Sequence, residues 1–430
     1  MTLALPLDIR LDCGTSYARL GPLGAWQAVG IGSSQVCGNV DAPLLEFAVE
    51  ALEAVTQRFV PGTRVLETHV RSATGACHWF DFFPCRQTPR APGDRLVRVL
   101  EGLEGSVTVR ISWNVSGIDA EGPRLRVVTE AGVTTLEDRE RSGQTLVVGA
   151  SQVTAWQLGG HSGAWAGNGL STVQWDLDET FDTWLKWANR CRFDGPQREH
   201  ILTLALQVTT RTHAAPDGDP ARDGAETSDA ALNGLSAIAL EAWGLEAEDG
   251  WHWLMLSGEA GWQLVALSQG LAAGLLDAYP LYAKWPAIQM WVMQWLNAGE
   301  RPAHAVNGIL AASAIADAWS LDGDHARWRQ QVVPDTLDPV PQFYPPCANH
   351  PQWDALRTIQ HQLDVGGYQQ ARRLMDAWLQ ETPLDQSTEQ SWQILALWLA
   401  ARIYLAPPGK PDPVESGEAW FEHREFLSAD

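Results

Sequence analysis

Tryptophan is the residue type in this chain that most invites a chemical reading, with 22 in 430 residues. Indole faces stack on the apolar faces of sugar rings, so this supply suits a carbohydrate site, and Trp251 and Trp291 are candidates for such contacts. The same side chains also fill the wide gaps between helices. Trp291 and Trp295 sit four apart, on one helical face, as packing requires. The other reactive types form no constellation. Cys13, Cys37, Cys77, Cys85, Cys191 and Cys347 show no CxxC spacing and read as reduced thiols, with Cys77 and Cys85 the one pair that a hairpin could bridge. His69 with His78, and His361 by itself, lack metal-ligand spacing. Gly30-Ile-Gly32 is not followed by the helix and acidic residue of a dinucleotide site. Ser, His and Asp are too scattered to suggest a triad. No metal and no cofactor is expected.

The elements that would position a site fall into two textures. Up to residue 180 the chain alternates apolar and polar residues in short runs: Arg64–Arg71, Leu96–Leu100, Val107–Trp113, Arg124–Val128 and Thr145–Val148. Turn signals at Pro61-Gly62, Gly75, Pro92-Gly93, Gly105 and Gly117 separate them. Strands at this spacing predict an antiparallel β-sandwich over 1–180, interrupted by one helix from Ala42 to Thr56. Residues 181–197 predict a linker helix and turn. Trp184 and Trp187, with Leu185 and Ala188, give it an apolar stripe, and Gly195-Pro196 breaks the chain before the next helix.

From 198 to 406 the period becomes helical. Helices are expected near Arg198–Thr212, Asp229–Trp243, Ala247–Ser257, Gln263–Ala278, Trp285–Leu296, Ala303–Ser320, His325–Val333, Trp353–Leu363, Tyr368–Gln380 and Thr388–Leu405. The tail, 407–430, opens with Pro407-Pro408 and Pro411-Asp-Pro413 and reads as extended.

Composition narrows the partners. A net charge of −22 repels phosphate backbones and anionic lipid heads, which argues against nucleic acid and membrane surfaces. The N-terminal run Met1–Arg10 has no basic region ahead of its apolar residues, and no stretch of about 18 apolar residues occurs, so the expected location is cytoplasmic.

Several stretches resemble glycoside hydrolase family 15, the glucoamylases, glucodextranases and bacterial trehalases. Phe59-Val-Pro-Gly-Thr-Arg-Val-Leu-Glu-Thr-His-Val-Arg71 and Phe80-Asp-Phe-Phe-Pro84 are similar to a strand pair of that family, and Leu96–Gly105 to the strand that follows. The junction Phe181–His200 is similar to the family's passage from sandwich to helices. Weaker similarity continues through Arg198–Thr212, Ser228–Leu232 with Trp243–Glu248, Trp262–Asp277 and Gly366–Leu374. The resemblance implies a supersandwich-like β domain, a linker helix and an α/α toroid. With roughly ten helices predicted, that toroid is incomplete.

Inverting glycosidases need two carboxyl groups about 6.5–9.5 Å apart, one to protonate the leaving oxygen and one to activate water. The resemblance places the general acid at Glu300, where the family's tryptophan is missing and Arg301 follows. It places the general base in a loop shortened to Gln380–Glu389, with Glu381, Asp385 and Glu389 as stand-ins and Glu381 the first choice. The substrate-gripping Arg-Asp pair corresponds to Ser228-Asp229, so Asp229 is kept and the arginine is lost. Each residue also has a plain reading: Glu300 in a solvated turn, Asp229 and Glu389 at helix starts. Three functions follow. The first choice is a catalytically degenerate relative in carbohydrate metabolism, with an α-glucoside or other small carbohydrate as ligand or a protein as partner. The others are an active inverting α-glycosidase of glucoamylase or trehalase type, and a structural or assembly protein that forms oligomers.

Overall fold

The computed structural model describes residues 9–13, 16–31, 34–37, 43–85, 95–114, 124–136, 142–159, 169–209, 239–245, parts of 261–271, 279–298, 303–318, 325–332, 351–381 and 391–405. The chain divides into two compact units, the first with Met1–Asn189 as its main segment and the second beginning at Arg190.

The described residues of the first unit form antiparallel β-structure and one α-helix. Its strands are β1 (Ile9–Cys13), β2 (Ser16–Leu20), β3 (Trp26–Ile31), β4 (Ser34–Cys37), β5 (Leu45–Val49), β6 (Leu52–Phe59), β7 (Leu66–Ser72), β8 (Gly75–Phe82), β9 (Arg95–Trp113), β10 (Arg124–Thr129), β11 (Gly132–Thr135), β12 (Ser142–Gly149) and β13 (Val153–Gly159). Helix α1 (Leu170–Ala188) follows. One layer runs β1-β2-β3-β5-β9, with β4 on β3 and β12 on β9; the other runs β6-β7-β8-β9-β13-β10-β11. The two inner faces share a core of Leu20, Trp26, Phe47, Val109 and Ile111 against Val70, Trp79, Leu96, Leu100 and Trp156. Phe47 meets Trp79 and Trp156 edge to face, with ring centroids 5.4 and 4.8 Å apart. Such pairs add about 0.5–1.5 kcal/mol beyond burial.

Strand β9 belongs to both layers. Its alternation is strict: Leu96 and Leu100 enter the inner core, while Val97 and Val99 enter a second core on the outer face. Val173 and Leu177 of α1 complete that outer core, and Phe181 packs on Phe80 at 5.7 Å. The expected turn at Gly105 is instead a kink inside one strand of 19 residues. Gly105 has φ +61, and a Cβ there would lie 2.2 Å from the Thr74 carbonyl oxygen, so only glycine fits where β9 passes from one layer to the other.

Two further expectations are corrected. Within the helix expected from Ala42 to Thr56, the described residues instead form β5 and the start of β6, joined through Glu50 and Ala51. Apolar residues at 44, 45, 47, 49, 52 and 55 satisfy both periods, and the corner is made by Ala51 with φ +51 rather than by a glycine. The linker helix expected from Phe181 begins at Leu170, and its residues Leu170, Val173, Leu177 and Phe181 pack on the sheet. Cys77 and Cys85 are both buried and are not bridged to each other.

The second unit is helical. Its described helices are α2 (Arg198–Thr209), α3 (Tyr279–Leu296), α4 (Ala303–Ala318), α5 (His325–Val332), α6 (Pro351–Asp364), α7 (Tyr368–Glu381) and α8 (Ser391–Tyr404), with a further turn at 239–242. Helix α3 starts before the expected Trp285 and carries Pro286 inside it. Proline removes one backbone donor, and the helix tolerates it because the flanking face is exposed at Pro286 and Met290. Helix α8 packs against α2, α6 and α7, and its ten successive residues Trp392–Ala401 are all buried. A helix apolar on every side is an interior helix. The segment after the junction is fixed to this unit: the Arg192 N–H donates to the Trp243 carbonyl, and Phe193 packs edge to face on Trp243. Trp243 in turn donates its indole N–H to the Leu397 carbonyl, 3.3 Å away. Among the described residues, no helix is long and apolar enough to cross a membrane.

Candidate functional site

Of the residues singled out in the sequence, Asp229, Trp251 and Glu300 lie outside the described residues, as do Asp385 and Glu389. Glu381 is the last residue of α7 and is exposed, off the face on which Ala371, Met375, Trp378 and Leu379 are buried. Trp291 is 4% exposed in α3, with its ring edge directed at Gly308 of α4. A Cβ on Gly308 would lie 2.7 Å from the Trp291 ring and 2.4 Å from the Gly261 backbone, so the missing side chain is what lets the indole seat. Trp291 therefore packs between helices. Its partner on the stripe, Trp295, stands edge to face with it at 6.3 Å.

The densest polar chemistry among the described residues lies in the sheet unit, at positions that alternation alone would give to apolar side chains. Asp81 of β8 and Arg98 of β9 are direct cross-strand partners, so both side chains point into the inner core. Both are 0% exposed. Arg98 donates from Nε to Asp81 Oδ1 at 2.9 Å and from Nη2 to Oδ2 at 2.8 Å, the bidentate fork geometry. The Trp26 indole N–H donates to Oδ1 at 2.8 Å, and Arg98 also donates to the Gly24 carbonyl. The guanidinium carbon lies 4.6 Å from the Phe47 ring centroid, 5.5 Å from that of Trp26 and 5.7 Å from that of Trp79. Burial pushes the Asp81 carboxyl up, against the pull of the Arg98 charge and of the hydrogen bonds from Arg98 and Trp26. The pair is sealed from solvent, so it can bind strands together but cannot reach a substrate.

A second buried pair fixes α1 to the outer face. Arg95 of β9 meets Asp176 of α1, with side chains 4% and 0% exposed. One turn later, Thr180 Oγ1 accepts the Cys85 backbone N–H at 3.0 Å and donates to the Asp176 carbonyl at 2.6 Å. Farther along the same face, His78 stands between two carboxylates, with Nδ1 3.3 Å from Glu67 Oε1 and Nε2 3.2 Å from Glu101 Oε2. Both ring nitrogens are thereby engaged. His69 is its cross-strand neighbour, yet among the described residues no three His, Cys, Asp or Glu converge as metal ligands.

In the helical unit the polar contacts also tie elements together. Tyr404 donates to Asp376 Oδ1 at 2.6 Å, and Trp378 donates to Gln352 Oε1 at 2.6 Å. Burial is the first cause raising the Tyr404 phenol, followed by its bond to Asp376. Asp81, Arg98, Arg95 and Asp176 were missed in the sequence, although a signal existed. Phe80-Asp-Phe82 and Val97-Arg-Val99 each place one charge inside an apolar strand, and two such charges brought opposite each other in register imply a pair. No known family model matches this chain, and the search of curated proteins gives no match.

Proposed function

We propose that this chain is a catalytically degenerate relative of the family 15 glycosidases, built as a β-sandwich followed by an incomplete α/α toroid, that binds a small α-glucoside without hydrolysing it. One observation carries the reading. The stretches that resemble the family, Phe59–Arg71, Phe80–Pro84 and Leu96–Gly105, fold side by side as β7, β8 and β9, and the junction residue Phe181 packs on Phe80. Separate stretches that resemble one family gain weight when they occupy one structural neighbourhood. Degeneracy rests on the sequence, in which the arginine before Asp229 and the tryptophan before Glu300 are both replaced. On this reading Asp229, Glu300, Glu381 and Trp251 border the ligand, and Trp291 supports it from the helix interior.

The test is to incubate the protein with trehalose, maltose and isomaltose, following glucose release and its anomer by NMR and binding by tryptophan fluorescence. The expected result is a saturable fluorescence change with no glucose released. Release of glucose that disappears in Glu300→Gln would establish an active inverting glycosidase instead. An assembly role is the second reading, and the exposure of Met290 and Met293 on α3, 72% and 47%, favours it. It predicts no response to any of the three sugars.

A further inference from the structure

Four polar side chains meet in a row across the outer face of the sheet, one from each of four neighbouring strands: Arg58 of β6, Glu67 of β7, His78 of β8 and Glu101 of β9. Arg58 donates from Nε and from Nη2 to Glu67 Oε2, both at 3.2 Å, which leaves Oε1 to His78 Nδ1 at 3.3 Å. On the other side of the ring, His78 Nε2 lies 3.2 Å from Glu101 Oε2. An ionised carboxylate only accepts hydrogen bonds, and a neutral imidazole has one N–H and one lone pair. A neutral His78 therefore satisfies one neighbour and turns a lone pair on the other. Only the imidazolium, with a proton on each nitrogen, donates to both. Among these side-chain types, only an imidazole ordinarily changes charge between about pH 5 and 8.

We propose that His78 is a proton-gated tie: doubly protonated, it joins β8 to β7 and β9 through Glu67 and Glu101, and on losing a proton it keeps Glu67 and releases Glu101. The surroundings decide which contact yields. Glu67 is also held by Arg58, and its side chain is 17% exposed. The Glu101 side chain is 43% exposed, and His78 is the one side-chain partner of its carboxylate among the described residues. The remaining proton therefore stays on Nδ1, and the bare Nε2 and the Glu101 carboxylate turn to water. The other charges on the packed elements do not replace this contact. His69 stands directly opposite His78 on β7 and brings no carboxylate, and Arg71, farther along β7, pairs with Glu104 of β9. Val153 of β13, opposite Glu101, is apolar. Helix α1 brings Phe181, and Asp182 and Lys186 beside it pair with each other. The tie sits where α1 is seated, because Phe80 meets the His78 ring at 4.6 Å and Phe181 at 5.7 Å.

Nitrogen-15 NMR of the histidine rings in the full chain tests this directly, since it reports which ring nitrogen carries a proton. At about pH 5 both His78 nitrogens should be protonated. As the pH is raised and the ring loses one proton, the loss should fall on Nε2 and the survivor remain on Nδ1. Glu67→Gln supplies an amide that can donate to Nδ1, so in that variant the surviving proton should move to Nε2, facing Glu101. Glu101→Gln supplies an amide that donates to the bare Nε2, so the contact between positions 78 and 101 should outlast the proton. His69→Gln should leave the pattern as in the wild type. All three substitutions lie on the partly exposed outer face, and melting curves should report folded protein for each. A ring nitrogen without a proton at about pH 5, a survivor on Nε2 in the wild type, or a survivor unmoved by Glu67→Gln would overturn the proposal.

Discussion

The two units hold themselves together by different physics. In the sheet unit, charges are taken out of water and paired across neighbouring elements: Asp81 with Arg98 inside the sandwich, Arg95 with Asp176 under α1. Among the described residues of the helical unit, Trp243, Trp291, Trp378 and Trp398 are buried between helices, and the indole N–H groups of two of them are given to Leu397 and Gln352. Buried pairs fix register, because a strand slipped by one residue would turn its charge to the wrong face. Fitted indoles fix spacing between helices, where a rotation or slide is opposed by overlap. The sheet unit should therefore fail sharply when a charge loses its partner, and the helical unit when a gap is filled.

The contrast can be broken first at Asp81. Asp81→Ala strands the Arg98 guanidinium in the core and should cost about 3–5 kcal/mol, whereas an apolar double replacement of Asp81 and Arg98 should recover most of that loss. Denaturant unfolding followed by strand-specific hydrogen exchange would show the loss confined to the sheet unit. Gly308→Val should cost about 1–3 kcal/mol through overpacking against Trp291 and the Gly261 backbone, leaving the sheet unit unchanged in the same experiment. Thr180→Val removes one acceptor from the Cys85 N–H and should cost about 1–3 kcal/mol, read as earlier exchange of α1 amides. Arg71→Ala, at an exposed pair with Glu104, should change stability by under about 1 kcal/mol.

A pH experiment sharpens the same comparison. Burial pushes the Cys77 thiol up to about 11 from an ordinary value of 9.0. The unfolded chain then loses this proton first as pH rises, so the folded state holds more protons between about 9 and 11 and the sheet unit loses stability across that window. Cys77→Ala should flatten that slope in melting curves recorded over the window. At neutral pH the thiol is protonated and buried, so a thiol reagent should label Cys77 only after unfolding.

Much of the fold was legible because its periods are clean. The alternation in Leu96–Leu100 and the helical stripe of Tyr368–Glu381 lead directly to β9 and α7. Legibility stopped where one residue type had to do another's work. Ala51 makes a left-handed corner without glycine, Gly105 kinks a strand that it was expected to end, and Pro286 sits inside a helix rather than before it. The candidate site was less legible still. Glu300, Glu381 and Asp229 rest on resemblance, and carboxylates at turns and helix ends carry no period that marks them. The buried pairs lay open to a register argument, but that requires knowing which strands are neighbours.

Titration calorimetry with trehalose, maltose and isomaltose tests the central claim most directly, because binding and turnover leave different heats. A degenerate relative gives a saturable binding heat for at least one α-glucoside, returning to baseline after each injection. A sustained heat of hydrolysis, or no heat with any of the three, would contradict it.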